Sequence, residues 1–313
     1  MNKITVIGSG SVGSTIAYTL TVMGLASEIV MIDINREKAK GEALDIRQGL
    51  PFCNPANIYA GRYEDAANSD IVIITSGVAR KPGQSRLDLA QTNVDILKSI
   101  TQDIVKAAPH ATYIIVSNPV DVLTYVFGKI SGLPEERVIG SGTILDTARL
   151  RARISEYYSV NQKNVHAYIL GEHGDSSFVP WSVANISNVP IENYRNALLN
   201  SGLYPTFNKD EVEDYVRKSG ARVIQRKGAT YYAVSMSVCH LCKCLLSGID
   251  TTLTVSTMLH GEYGIDDVCL SLLSVVGHKG AHSKVLLPLN DEEVALLHKS
   301  ANSLKEVIKN VKF

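Results

Sequence analysis

No sign of charge predominates in this sequence: 31 lysines and arginines face 31 aspartates and glutamates. Such a chain has no global field with which to recruit nucleic acid or another bulk polyanion, so no nucleic-acid partner is expected. Long apolar runs are also absent. The longest uncharged stretch, Ile4 to Ser27, is broken by Gly8, Gly10, Gly13 and Gly24 and is loaded with Ser and Thr, so it reads as strand, loop and helix and not as a membrane span. The five cysteines are an odd number, and no second pair at finger spacing follows Cys239, His240, Cys242 and Cys244. That pattern gives no expectation of a metal site. Met1 runs into an apolar strand without the apolar core and cleavage site of a signal peptide, and a reducing cytoplasm is the expected compartment. There is no internal repeat and no low-complexity tract.

What is present is 45% hydrophobic and 20% charged residues over 313 positions, enough apolar material for real cores. The length exceeds the usual single core, so two domains of roughly 150 residues each are expected. Short β-branched runs at Lys3–Ile7, Glu28–Ile32, Asp70–Ile74, Thr112–Val116 and Arg137–Ile139 alternate with helical periodicity, clearest at Leu87–Ala108. This alternation predicts an α/β fold with a Rossmann-type parallel sheet. After about Gly142 the rhythm changes. A helix at Thr143–Tyr158, strands near Val165–Leu170 and Phe178–Ala184, one long helical region Asp210–Ser247, and strands near Thr252–His260 and Asp267–Gly277 predict a mixed α+β second domain. Val294, Leu297, Ala301, Leu304, Ile308 and Val311 step by three and four as one buried face of a last helix. The expected domains are therefore residues 1–141 and 142–313.

Gly8-Ser9-Gly10-Ser11-Val12-Gly13 is G-x-G-x-x-G, a weak signal alone, since a tight turn uses the same residues. Here it follows a strand, opens a helix, and is answered twenty residues beyond Gly13 by Asp33 at the end of the next strand. In that context the glycines let backbone and helix N-terminus approach a pyrophosphate, and the Asp33 carboxylate accepts from ribose hydroxyls while repelling a 2′-phosphate. NAD is the expected cofactor. Thr75-Ser76-Gly77 and Ser117-Asn118-Pro119 follow strands whose C-terminal ends should border the cofactor crevice, though both could be plain turns.

Gly171-Glu172-His173-Gly174-Asp175-Ser176 puts a histidine in a small polar turn, where it can exchange a proton near neutral pH or simply sit at the surface. Asp146 and Arg149 lie at i and i+3 on one helical face, able to point into one site or to form a surface ion pair. Arg80-Lys81-Pro82-Gly83-Gln84-Ser85-Arg86 is a Pro-Gly loop with three cations, either a solvated loop or a lid over an anionic substrate.

Taken in order, GSGSVG with Asp33, RKPGQSR, VSNPVD, GSGTILDTAR, NVHAYILGEHGDS and GATYYA resemble the L-lactate/malate dehydrogenase family across nearly the whole chain, most of all its bacterial NAD-dependent L-lactate dehydrogenases. The resemblance implies that His173 is the acid/base on the substrate oxygen, that Asp146 orients it, and that Arg149 clamps the substrate carboxylate through two hydrogen bonds. It implies that Arg86 polarises the carbonyl when the loop closes, with Asn118 and Thr230 at the same centre. Cofactor contacts are implied at Gly8, Gly10, Val12, Gly13, Asp33, Thr75, Gly77, Asn93, Ser117 and Asn118, together with a cis peptide at Asn118-Pro119. Arg151 and His166 match positions that bind fructose 1,6-bisphosphate across a subunit interface, so an effector and a homotetramer are implied as well.

One position departs from the lactate pattern. Arg80 stands before Lys-Pro-Gly, where lactate enzymes carry Gln and malate enzymes carry an Arg for the second carboxylate of oxaloacetate. Against it, Glu172 beside the histidine is expected to repel a dicarboxylate, and Thr230 and Trp181-Ser182 look like the lactate branch. Pyruvate is the expected substrate and oxaloacetate the alternative. Two rivals carry less support: a nicotinamide-dependent glycosidase lacks its metal-binding Cys/His set here, and a silent NAD-binding scaffold has no chemical reason to hold Arg86, Asn118, Asp146, Arg149 and His173 together.

Overall fold

The computed structural model describes residues 2–79 and 86–313. Its first part runs β1 (Lys3–Ile7), α1 (Ser11–Met23), β2 (Glu28–Ile32), α2 (Arg36–Gln48), β3 (Asn57–Ala60), β4 (Ile71–Ile74), α3 (Arg86–Ala107), β5 (Thr112–Ile115), α4 (Val120–Ser131) and β6 (Val138–Gly140). All six strands are parallel, in the order β6-β5-β4-β1-β2-β3. Every residue of β4 and β5 is buried, as strands covered by helices on both faces require. The two-residue period sorts their side chains. Val30, Ile32, Val72 and Ile74 join the core beneath α3 and α4, while Ile29, Met31, Ile71 and Ile73 join the core beneath α1.

The second part runs α5 (Ile144–Tyr158), β7 (Val165–His166), β8 (Asn185–Ile186), β9 (Val189–Pro190), α6 (Ile191–Ala197), α7 (Lys209–Lys227), α8 (Tyr232–Leu245), β10 (Thr251–His260), β11 (Asp266–Gly277), β12 (Gly280–Lys284) and α9 (Asp291–Asn310). Its long strands do not form a separate sheet. They add antiparallel to the edge of the first, β10 meeting β6 with Ser256 opposite Gly140, and give a nine-stranded order β12-β11-β10-β6-β5-β4-β1-β2-β3. α8 likewise crosses back onto the first part: Val238, Leu241 and Cys242 share a core with Ile16 and Leu20 of α1. α9 buries Leu297, Ala301 and Leu304 as its periodicity predicts, and starts in a capping box between Asn290 and Glu293.

Several predicted elements differ. The long helical region expected over Asp210–Ser247 resolves into two helices, because α7 ends at the Gly228 cap and a short turn precedes α8. Of the strand expected at Val165–Leu170 only Val165–His166 pairs regularly; Leu170 makes an isolated bridge to Phe178, and Trp181–Val183 is a short 3-10 turn instead of strand. β3 and β12 have too little β-branched content to stand out and exist because their neighbours' edges pair with them. Among the described residues no helix is long and apolar enough to cross a membrane.

Candidate active site

At the C-terminal end of β1 the chain turns within van der Waals contact of itself. Gly8 has φ +98°, and a Cβ on Gly13 would lie 1.8 Å from the Gly8 carbonyl oxygen, so neither position accepts a side chain without a shift. α1 then begins at Gly10 with no side-chain cap and no acid in its first turn, leaving its N-terminal amides free for an anion. A Cβ at Gly10 would meet nothing within 4 Å. Asp33 closes this corner: its Oδ2 accepts from the Ser9 amide at 2.6 Å and its Oδ1 from the Asn35 amide at 2.8 Å. Each oxygen retains a lone pair for a hydroxyl ligand. An open helix start, a cradle that a Cβ would fill and a fixed carboxylate fit a dinucleotide.

The ends of the next two strands are stitched together beside it. Thr75 donates its hydroxyl to the Gly8 carbonyl at 2.9 Å, Ser117 donates to the Ser76 carbonyl at 2.6 Å, and the Asn93 side chain joins Val78 to the Asn118 carbonyl, the latter at 2.7 Å. The Asn118-Pro119 peptide is cis.

The histidine sits in a loop whose stem is the reciprocal pairing of Leu170 with Phe178, at 3.0 and 3.1 Å. Gly171 and Ser271 of β11 also exchange both backbone bonds at 3.0 Å, and the Glu172 amide donates to Ser300 Oγ of α9 at 2.6 Å. Then the His173 amide donates to Asp121 Oδ2 of α4 at 2.7 Å. The ring meets α5: His173 Nδ1 lies 2.6 Å from Asp146 Oδ2, and Arg149 Nη1 donates to Asp146 Oδ1 at 2.9 Å. Burial opposes a charged imidazole, but the Asp146 carboxylate outweighs it and raises His173 to about 8. Burial likewise opposes charge on Asp146, yet His173 and Arg149 hold that carboxyl below its usual range. The result is a histidine with a fixed ring orientation and an affinity for the proton near neutral pH.

These pieces face one cleft of about 500 Å³. Val12, Thr75, Gly77, Asn93, Ser117 and Asn118 line it together with Asp146, Arg149, His173 and Thr230. Gly8, Gly10, Gly13 and Asp33 lie beyond that lining, at the ends of β1 and β2. Arg80 falls outside the described residues, as does the Arg86 side chain. The Glu172 carboxylate accepts from Ser176 Oγ, which also meets Ser300 Oγ of α9, and does not itself line the cleft. Trp181 is also elsewhere, its Nε1 donating to Glu213 at 2.6 Å. Sequence reasoning missed Arg217, which lines the cleft from α7, and Asp121, which accepts the His173 amide.

Arg151 and His166 do not meet this cleft. Arg151 donates Nε to the Ala167 carbonyl at 3.0 Å with its guanidinium 5.2 Å from the Tyr168 ring, whereas His166 is exposed on β7. Cys239, Cys242 and Cys244 are buried on α8.

A dinucleotide cradle and a carboxylate-paired histidine on one cleft define a nicotinamide-dependent dehydrogenase. Comparison with known proteins specifies the class. Residues 2–140 match the lactate/malate dehydrogenase NAD binding domain and residues 143–313 the lactate/malate dehydrogenase alpha/beta C-terminal domain. The chain belongs to the lactate/malate dehydrogenase family. It is 47% identical over 311 residues to an L-lactate dehydrogenase of Acetivibrio thermocellus, covering 99% of this chain and 98% of that one. An L-lactate dehydrogenase of a Thermoanaerobacter species is 48% identical over 99% of both chains. Among solved structures, a lactate dehydrogenase from a Medee basin deep-sea metagenome library superposes with TM-score 0.94 at 39% identity, covering 99% of this chain and 98% of that one. The minor L-lactate dehydrogenase of Enterococcus mundtii superposes with TM-score 0.92 at 38% identity over 100% and 99%.

Proposed function

We propose that the protein is an NAD-dependent L-lactate dehydrogenase that interconverts pyruvate and L-lactate. The observation that carries this is the chain of contacts Arg149–Asp146–His173, with separations of 2.9 and 2.6 Å, facing Asn118 and Thr230. When bound, NADH supplies the hydride. His173 delivers the proton to the substrate oxygen and recovers it in the reverse direction. Asp146 uses one oxygen for the imidazole and the other for Arg149, so it orients both, and the other guanidinium nitrogens of Arg149 take the substrate carboxylate. Asn118 and Arg86 polarise the carbonyl. Gly8, Gly10, Val12, Gly13, Asp33, Thr75, Gly77, Asn93 and Ser117 hold the dinucleotide. The domain boundary is proposed at 141/142, between β6 and α5.

Pyruvate is favoured by Thr230 and by the apolar residues Val216, Ile224 and Val234 that also line the cleft, and by the names of the relatives. The charge of Glu172, one residue from His173, also weighs against a second carboxylate. Oxaloacetate remains the second candidate on the strength of Arg80. We further propose a cytoplasmic homotetramer: the five cysteines are free thiols, as a reducing compartment maintains. His166, exposed, and Arg151, already engaged with Ala167, are proposed to hold fructose 1,6-bisphosphate once a second subunit completes the site.

The test is NADH oxidation with pyruvate and with oxaloacetate, each with and without fructose 1,6-bisphosphate. A higher kcat/KM on pyruvate is expected, with a rise on adding the bisphosphate. Preference for oxaloacetate overturns the substrate, and indifference to the bisphosphate at pH 6 and 7.5 overturns the effector.

A further inference from the structure

α4 begins Val120-Asp121-Val122-Leu123-Thr124-Tyr125-Val126-Phe127, and every one of these residues is buried. Asp121 is the sole charged side chain in that run, 2% exposed. A carboxylate so placed costs stability unless something holds it. Its Oδ2 accepts the His173 amide at 2.7 Å, while Oδ1 has no hydrogen-bond partner among the described residues. Burial pushes the carboxyl up to about 6, against the lowering influence of the nearby Ser256 hydroxyl on β10, the His173 amide and the His173 ring. Glu172 adds to the rise, and Cys269 of β11 is the other titratable group against it. At neutral pH the group is therefore charged, buried and half-satisfied. It also lies two residues beyond the cis Asn118-Pro119 peptide, so one helix start carries both a substrate-site residue and the support of the histidine.

We propose that Asp121 is a positioning residue for His173, which it locks in register with Asp146 and Arg149 from the opposite side of the ring-bearing loop. The inference rests on the lactate dehydrogenase assignment only for its kinetic readout. Geometry and charge separate cleanly in two variants. Asp121→Asn keeps an acceptor for the His173 amide but removes the charge that favours the protonated imidazole. Asp121→Ala removes both.

The experiment compares wild type, D121N and D121A by kcat and KM for pyruvate from pH 5.5 to 9.5, by NADH binding, by melting temperature, and by the pH dependence of diethyl pyrocarbonate modification of the His173 peptide. In D121N the His173 midpoint should fall by about one pH unit, with kcat at its optimum nearly retained and a melting temperature at neutral pH no lower than wild type. In D121A kcat should fall about tenfold to a hundredfold with NADH binding unchanged. Wild-type kcat in a folded D121A overturns the positioning, and wild-type midpoints in D121N by both activity and modification overturn its electrostatic part even where D121A fails to fold. If wild type reduces neither pyruvate nor oxaloacetate, the assigned activity fails, and the modification midpoints alone still decide the role of Asp121.

Discussion

The two ends of the cleft are built differently. The proposed nucleotide end comes from short stretches at the tips of adjacent parallel strands, residues 8–13, Asp33 and 75–77, and is shaped by backbone amides and close approach. The histidine end is assembled from α4, α5, α9 and β11, through the Asp121 and Asp146 carboxylates, the Ser300 hydroxyl and the Ser271 backbone. The first depends on the absence of atoms and the second on their presence. A substitution at the nucleotide end should therefore act on binding, and on the fold as well where its Cβ meets backbone, whereas one at the histidine end should act first on turnover.

The largest expected effect tests the second half of that contrast. His173→Asn keeps size and polarity but cannot carry the proton, so kcat for pyruvate reduction should fall about 10²- to 10⁴-fold. The NADH dissociation constant, measured by quenching of cofactor fluorescence, should be unchanged. A comparable loss of NADH affinity would mean that the two ends are not separable and would sink the contrast.

That contrast also explains what the sequence made legible. The boundaries of β1 and β2 emerge as read, and strand, glycine turn and acidic residue are contiguous enough to be legible as one unit. His173, Asp146 and Arg149 were readable through the family resemblance, and the cleft brings them together. Asp121 was missed because its importance depends on the loop from residue 171 onward folding over the start of α4, a long-range event. Its signal was present nevertheless: one carboxylate opening an otherwise apolar run. The bond from Ser176 Oγ to the Glu172 carboxylate was likewise hidden, since it depends on how the loop closes on α9. Nothing in residues 210–247 other than Gly228 marks the break between α7 and α8, and the apolar periodicity resumes at once on its far side.

A smaller effect tests the first half of the contrast within a single turn. Gly13→Ala inserts a Cβ 1.8 Å from the Gly8 carbonyl oxygen, a backbone atom that cannot swing aside. The cost of such overpacking is about 1–3 kcal/mol, read as a lower denaturation midpoint. Gly10→Ala meets nothing within 4 Å and should leave the midpoint of the free protein near wild type, yet weaken NADH binding, because the new methyl stands where the dinucleotide approaches. Equal midpoints for the two variants would show that the turn is looser than its geometry.

The smallest effect is a matter of pH and returns to the histidine end. His173 is raised from 6.5 to about 8 by Asp146 in spite of burial, so the folded protein holds this proton more tightly than the unfolded chain. The associated stability is present in full below about pH 6.5 and is lost as pH rises through about 8. Pyruvate reduction needs the protonated ring, so its kcat/KM should be flat toward neutrality and fall about tenfold per unit above the midpoint. Lactate oxidation needs the neutral ring and should rise through the same midpoint. Opposite slopes crossing near pH 8 tie both directions to one group, whereas two midpoints far apart would assign proton transfer to something other than His173.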